Sequence, residues 1–122
     1  MTAAARVLYV DDEETMRLLV QEHLSAEGYN VATATNGDEA VKTLETKTFD
    51  LVILDILMPG MSGIGVLQEM KARNIKPRVI VLTGVDDLDV AVNAAKLGAI
   101  DYVTKPFEMK DLLGSIRRVL QV

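Results

Sequence analysis

The sequence contains no cysteine, which excludes disulfides, thiolate zinc sites and cysteine nucleophiles together. It has no block of Lys and Arg. With a net charge of −5 and a pI near 4.8, it does not suit direct binding to nucleic acid or to an anionic membrane. No apolar run approaches the roughly 20 residues a membrane span needs. Met1 to Ala5 pass straight into a short strand pattern, without an apolar stretch of signal-peptide length. Linkers, internal repeats and low-complexity stretches are missing as well. These absences fit a cytoplasmic location.

What is present is 122 residues, 49% hydrophobic and 25% charged, the balance of one globular domain spanning 1–122 with one core. The chain is organised around Phe49 to Gly63, FDLVILDILMPGMSG. Leu51, Val52, Ile53 and Leu54 run directly into the carboxylate of Asp55, and a Pro- and Gly-dense turn follows. A short continuous apolar run bounded by turn signals predicts a strand buried on both faces. Pro59 stops any helix from passing through the turn. Asp55 therefore stands where a buried parallel strand surfaces into a loop, and ligands in open α/β sheets bind at the carboxyl ends of strands.

The same alternation repeats along the chain. Arg6 to Val10 is a strand ending in Asp11-Asp12-Glu13-Glu14. A helix follows with Met16, Leu19, Val20, His23 and Leu24 on one apolar stripe and Gly28 at its stop. His23 on that stripe reads as a partly buried core histidine. Residues 29–35 form a second strand, and a helix carrying Ala40, Val41 and Leu44 comes next. After the central strand, a helix over 63–73 turns Ile64, Leu67 and Met70 inward; Met58 and Met61 read as loop packing. Arg78 to Leu82 is another strand, apolar from Val79 onward, ending in Thr83-Gly84. A helix over 86–97 is closed by Gly98, a short strand covers 101–103, and a last helix over 109–120 packs Leu112, Leu113, Ile116, Val119 and Leu120. Five βα units predict a doubly wound α/β fold, a parallel sheet with helices on both faces in the order 2-1-3-4-5. A barrel needs eight units and roughly twice the length.

In that order strands one and three are neighbours, so Asp11, Asp12 and Asp55 meet at one rim. Thr83 ends strand four, and Lys105 follows strand five. Three carboxylates this close repel, and a hard dication such as Mg²⁺, which favours oxygen ligands, relieves them. A nearby Lys adds a mobile cation suited to phosphoryl oxygens. Carboxylate nucleophile, metal and cation together suit a transferring phosphoryl group. Taken singly, each has a plainer reading: Asp11 and Asp12 as caps of the first helix, Lys105 as a solvated charge, Thr83 and Tyr102 as ordinary strand residues.

The set in order resembles a response-regulator receiver domain of two-component signalling, of the chemotaxis-regulator kind. The residues that carry the likeness are Val10-Asp11-Asp12, Asp55 with Met58-Pro59-Gly60 and Gly63, Thr83-Gly84, and Tyr102-Val103-Thr104-Lys105-Pro106-Phe107. The resemblance spans Val7 to about Val122 and implies a flavodoxin-like (βα)5 fold. It implies that Asp55 accepts a phosphoryl group from a sensor histidine kinase or phosphotransfer protein. Asp12, Asp55 and the backbone carbonyl of Leu57 would hold Mg²⁺, with Asp11 acting through water. Thr83 and Lys105 would bind the phosphoryl oxygens, and Tyr102 would turn inward as Thr83 moves. The Lys105-Pro106 bond would be cis.

The family also uses the face of helix four, strand five and helix five to meet an effector, a fused output domain or a second copy. Many DNA-binding members read GADDY before the Lys-Pro motif; here Ile100 stands in that run, which weakens the expectation of their charge-paired dimer. The chain is then either a stand-alone relay or a receiver cut from a longer protein. The resemblance further implies that Leu57 and Val85, both apolar, leave the acyl phosphate comparatively long-lived. Such a domain is a phosphoacceptor that assists its own phosphoryl chemistry rather than an enzyme. Among rivals, an aspartyl-nucleophile phosphatase needs an acid two residues after the nucleophile, where Leu57 stands. A nucleotide binder needs GxGxxG after strand one, whereas Gly60, Gly63 and Gly65 give GxxGxG after strand three. A receiver-like interaction module that works without phosphorylation is the remaining alternative.

Overall fold

The computed structural model describes residues 4–84 and 88–121. Ten elements alternate: β1 (Arg6–Val10), α1 (Glu14–Ala26), β2 (Asn30–Ala34), α2 (Gly37–Thr46), β3 (Leu51–Asp55), α3 (Gly63–Ala72), β4 (Arg78–Gly84), α4 (Leu88–Lys96), β5 (Asp101–Lys105) and α5 (Met109–Leu120). The strands pair in parallel in the order β2-β1-β3-β4-β5, as the five βα units predict. Successive side chains on a strand point to opposite faces, and this splits the core in two. Leu8, Val10, Val52, Leu54, Val79 and Val81 pack against α2, α3 and Ala94 of α4. Val7, Tyr9, Leu51, Ile53, Ile80 and Leu82 pack against Val20 and Leu24 of α1 and Leu112, Ile116 and Val119 of α5. Each fully buried aliphatic side chain of this kind contributes about 1.5–3 kcal/mol.

Two expectations change. The stripe of α1 is narrower than its periodicity suggests: Val20 and Leu24 are buried, but Leu19 is 42% exposed and His23 is exposed. One edge of the helix, Met16-Val20-Leu24, meets the sheet. His23 lies beside that edge with its Nδ1 2.9 Å from the carbonyl oxygen of Leu19, so it is a surface residue and not a core one. The other change is β5, which runs on through Thr104 and Lys105 because these residues continue the ladder against Thr83 and Gly84. The helix expected over 86–97 begins at Leu88 among the described residues.

The register places the strand ends side by side. Val10 pairs with Leu54, Asp55 with Leu82, and Thr83 with Thr104. The loop after β3 returns tightly onto the sheet: the Gly63 N–H donates to the Ile56 carbonyl at 3.0 Å. A Cβ on Gly63 would fall 2.6 Å from the Asp55 carbonyl oxygen and 2.8 Å from the Ile56 Cα, so only glycine lets α3 start this close to the site. Gly60, at φ +75°, takes the left-handed turn that other residues adopt at a cost.

Candidate functional site

Asp11 directly follows the last residue of β1 and Asp55 is the last residue of β3, each carried to the rim by the apolar run before it. Both are buried, at 0% and 4% exposure, while Asp12 in the loop is exposed. One carboxylate oxygen from each of Asp11, Asp12 and Asp55 lies within 4.8 Å of the other two. Oxygen donors at that spacing fit a hard dication.

Lys105, the last residue of β5, closes the cluster. Its Nζ lies 3.0 Å from Oδ2 of Asp55, 3.3 Å from Oδ2 of Asp11 and 3.9 Å from Oε1 of Glu13. Burial pushes the Asp55 carboxyl up; the Lys105 hydrogen bond and charge pull it down, Asp11 pushes it up again, and the outcome is raised. Burial alone would lower Lys105, but its bonds and charge pairing with Asp55 and Asp11 outweigh that and raise it. The lysine is thus held as a cation against two crowded acids. The Lys105-Pro106 peptide is cis, as expected.

The remaining acceptors are also engaged. The Leu57 N–H donates to Oδ1 of Asp55 at 3.1 Å, and the Glu13 N–H donates to Oδ1 of Asp11 at 3.0 Å. The N-cap of α1 is Glu13, with no side-chain cap bond. Neither Asp11 nor Asp12 therefore caps that helix, and the plainer reading of the pair fails.

Three contributors to the site were not singled out from sequence. Tyr9 donates its buried hydroxyl to Oδ2 of Asp11 at 2.7 Å. Arg17 donates from Nη1 to the Asp11 carbonyl at 2.8 Å, and Glu13 adds a third carboxylate beside Lys105. A signal for Tyr9 existed, since residues i and i+2 of a strand share a face. Arg17 offered none, because its bond spans a loop and a helical turn.

Thr83 and Tyr102 lie apart from this knot. Thr83 is buried at 2% exposure, and among the described residues no hydrogen bond joins its hydroxyl to the acids or to Lys105. Tyr102 is 48% exposed and lines a cavity of about 270 Å³ with Val81, Ala91, Ala95 and Ala99, between β5 and α4. Leu57 turns its side chain to solvent, 63% exposed. Val85, paired with it in the expectation about lifetime, lies outside the described residues. At the far end of β5, Asp101 accepts from Ser115 of α5 at 2.6 Å and from Arg118 at 3.2 Å. Burial pushes the Asp101 carboxyl up, but these bonds and that of the Tyr102 N–H hold it below its ordinary value.

Among the described residues no helix is long and apolar enough to cross a membrane. The model of the response regulator receiver domain matches residues 7–117. The probable transcriptional regulator ycf27 of Cyanidium caldarium is 43% identical over 94% of the chain and 46% of its own length. The chain spans about half the length of the curated relatives it matches. Chemotaxis protein CheY4 of Vibrio cholerae superposes with a TM-score of 0.88 at 32% identity, covering 97% of this chain and all of that one. Response regulator protein TrrA of Thermotoga maritima, solved in complex with Mg²⁺-BeF, gives a TM-score of 0.84 at 38% identity, covering 95% and 99%. With 111 consecutive residues matched and the 2-1-3-4-5 sheet shared with these neighbours, the chain belongs to the response regulator receiver domain family.

Proposed function

We propose that this chain, acting as one domain over 1–122, is a signalling switch that accepts a phosphoryl group on Asp55. The observation that carries this reading is the salt bridge of Lys105 with Asp55, 3.0 Å, set beside three carboxylates that converge within 4.8 Å. An oxygen of the Asp55 carboxylate attacks the phosphorus of a phosphohistidine. The new O–P bond forms as the P–N bond breaks, and the imidazole nitrogen leaves with the electron pair. Lys105, already on Asp55, stays close enough to pair with the incoming phosphoryl oxygens.

Asp12, Asp55 and the Leu57 carbonyl would hold Mg²⁺ directly and Asp11 through water; the crowded carboxylate oxygens support this, as does the Mg²⁺-BeF complex of the related TrrA. An ion held by these residues would supply neutralisation of the charge that builds on the phosphoryl oxygens. Thr83 and Tyr102 form the switch. The Thr83 hydroxyl moves toward the phosphoryl group, and Tyr102 turns from solvent into the cavity beside α4. A ligand shifts such an equilibrium only by binding one state better, and the Thr83 bond supplies that difference. The face of α4, β5 and α5 then meets an effector, an output domain or a second copy. The phosphodonor is a sensor histidine kinase or a phosphotransfer protein, met in the cytoplasm.

Incubation with acetyl phosphate and Mg²⁺, read by intact-mass spectrometry, tests this. One added phosphoryl group is expected, lost in Asp55→Asn and after chelation. Equal labelling of the Asn variant would overturn the assignment.

A further inference from the structure

Tyr9 has no role in the chemistry just described, yet its hydroxyl is bonded into the centre of the site. Its side chain is 0% exposed and its ring sits in the core cluster with Val20 and Leu24. Phenylalanine would fill the same space. The hydroxyl alone distinguishes Tyr9 from a plain core residue, and it ends 2.7 Å from Oδ2 of Asp11. That oxygen also takes Lys105 at 3.3 Å, while Oδ1 takes the Glu13 N–H at 3.0 Å.

We propose that Tyr9 is a positioning residue, whose fixed hydroxyl orients Asp11 toward the metal and leaves Lys105 free to move from Asp11 to the phosphoryl group. The proposal rests on the reading of the acidic cluster as a Mg²⁺ site. A buried carboxylate stripped of its cation is costly unless another donor remains. When Lys105 turns to phosphoryl oxygens, Tyr9 still donates to Oδ2 of Asp11 and so keeps the carboxylate in place. A phenol-to-carboxylate bond is charge-assisted and directional. The surrounding core holds the ring, so the donor does not have to be ordered at the moment of binding. Partners that orient a metal's ligands in this way typically account for 10–100-fold in metal affinity.

The test compares Mg²⁺ titrations of wild type, Tyr9→Phe and Tyr29→Phe, followed through the backbone amide shifts of Asp12 and Leu57 by NMR. Tyr29 packs on the same core cluster and serves as the control. Tyr9→Phe should bind Mg²⁺ more than about threefold more weakly, toward the range above, with Tyr29→Phe unchanged. In wild type carrying ¹³C at the tyrosine Cζ, the Tyr9 resonance should move with the same midpoint as the amides. Weakening of less than threefold in Tyr9→Phe, or a Tyr9 resonance that stays still at saturating Mg²⁺, overturns the proposal and leaves the metal site standing. Wild-type amides that do not respond to Mg²⁺ overturn the metal reading and this proposal with it.

Discussion

The Nζ of Lys105 lies 3.0 Å from Oδ2 of Asp55, a residue fifty positions earlier in the chain. No local preference brings these two together. The parallel register of β3, β4 and β5 does, by setting three strand ends side by side. The arrangement has a cost, because Asp55 is buried and its carboxyl is held above its ordinary value by that burial despite the lysine.

That cost makes a stability prediction. An acid whose folded value is raised takes up its proton more readily in the fold than in the unfolded chain. Its penalty is therefore full above the raised value and fades as pH falls toward the unfolded value near 3.9. Asp55→Asn removes the charge and keeps the shape. At pH 7 the variant should be more stable by about 1 kcal/mol, a rise of about 4 °C in Tm for a domain of this size. The gain should shrink as the pH is lowered toward 4. Thermal melts across pH check this, and a variant that melts below wild type at pH 7 contradicts it.

Gly63→Ala probes the close return of the loop. The new Cβ meets backbone atoms of Asp55 and Ile56 at 2.6 and 2.8 Å, which no side-chain rotation relieves. The strand and helix must part, at a cost of about 1–3 kcal/mol, and Asp55 shifts with them. Both Tm and the yield of phosphorylation should fall. A variant with wild-type melting would show that the loop yields freely.

Much of this was legible in the residues themselves. The continuous apolar run of β3 and the alternation of strand and helix specify the sheet order, and the acids at strand ends specify the rim. Other features were hidden for identifiable reasons. The periodicity of α1 contains Leu19 and His23, but the sheet covers only the Met16-Val20-Leu24 edge. Thr104 and Lys105 look like loop residues, yet pairing with β4 makes them strand. Tyr9 reads as an ordinary aromatic strand residue, although the strand period places its hydroxyl on the face of Asp11. The bond from Arg17 to the Asp11 carbonyl depends on where the helix begins, which composition does not fix.

Thr83→Ala separates acceptance of phosphate from the response to it. Thr83 is buried at the end of β4, and among the described residues its hydroxyl makes no bond to Asp11, Asp12 or Asp55, so its removal should leave labelling of Asp55 intact. The charge-assisted bond proposed between Thr83 and the phosphoryl group would supply about 1 kcal/mol or more of bias toward the active state, and the variant lacks it. NMR shifts at Tyr102 and along α4 should then change only partly on phosphorylation. A full wild-type response in the variant would place the coupling elsewhere.

Leu57 bears on lifetime. It lies two residues after Asp55 with its side chain at the solvent mouth of the site, 63% exposed, and offers no hydrogen-bond partner to a water approaching in line with the phosphorus, a geometry that hydrolysis requires. Leu57→Asn supplies an amide there and should lose phosphate several-fold faster once the donor is removed. Each tenfold corresponds to about 1.4 kcal/mol of barrier. Identical decay curves would mean that position 57 does not control the lifetime.

The central claim concerns which carboxylate carries the phosphoryl group, since Asp11, Asp12 and Asp55 converge within 4.8 Å. Borohydride reduces an acyl phosphate to an alcohol, turning the modified aspartate into homoserine, and tandem mass spectrometry locates that residue in the peptide spanning it. After treatment with acetyl phosphate and Mg²⁺, homoserine is predicted at position 55 alone. Homoserine at position 11 or 12, or at no position while phosphate is retained, contradicts the account.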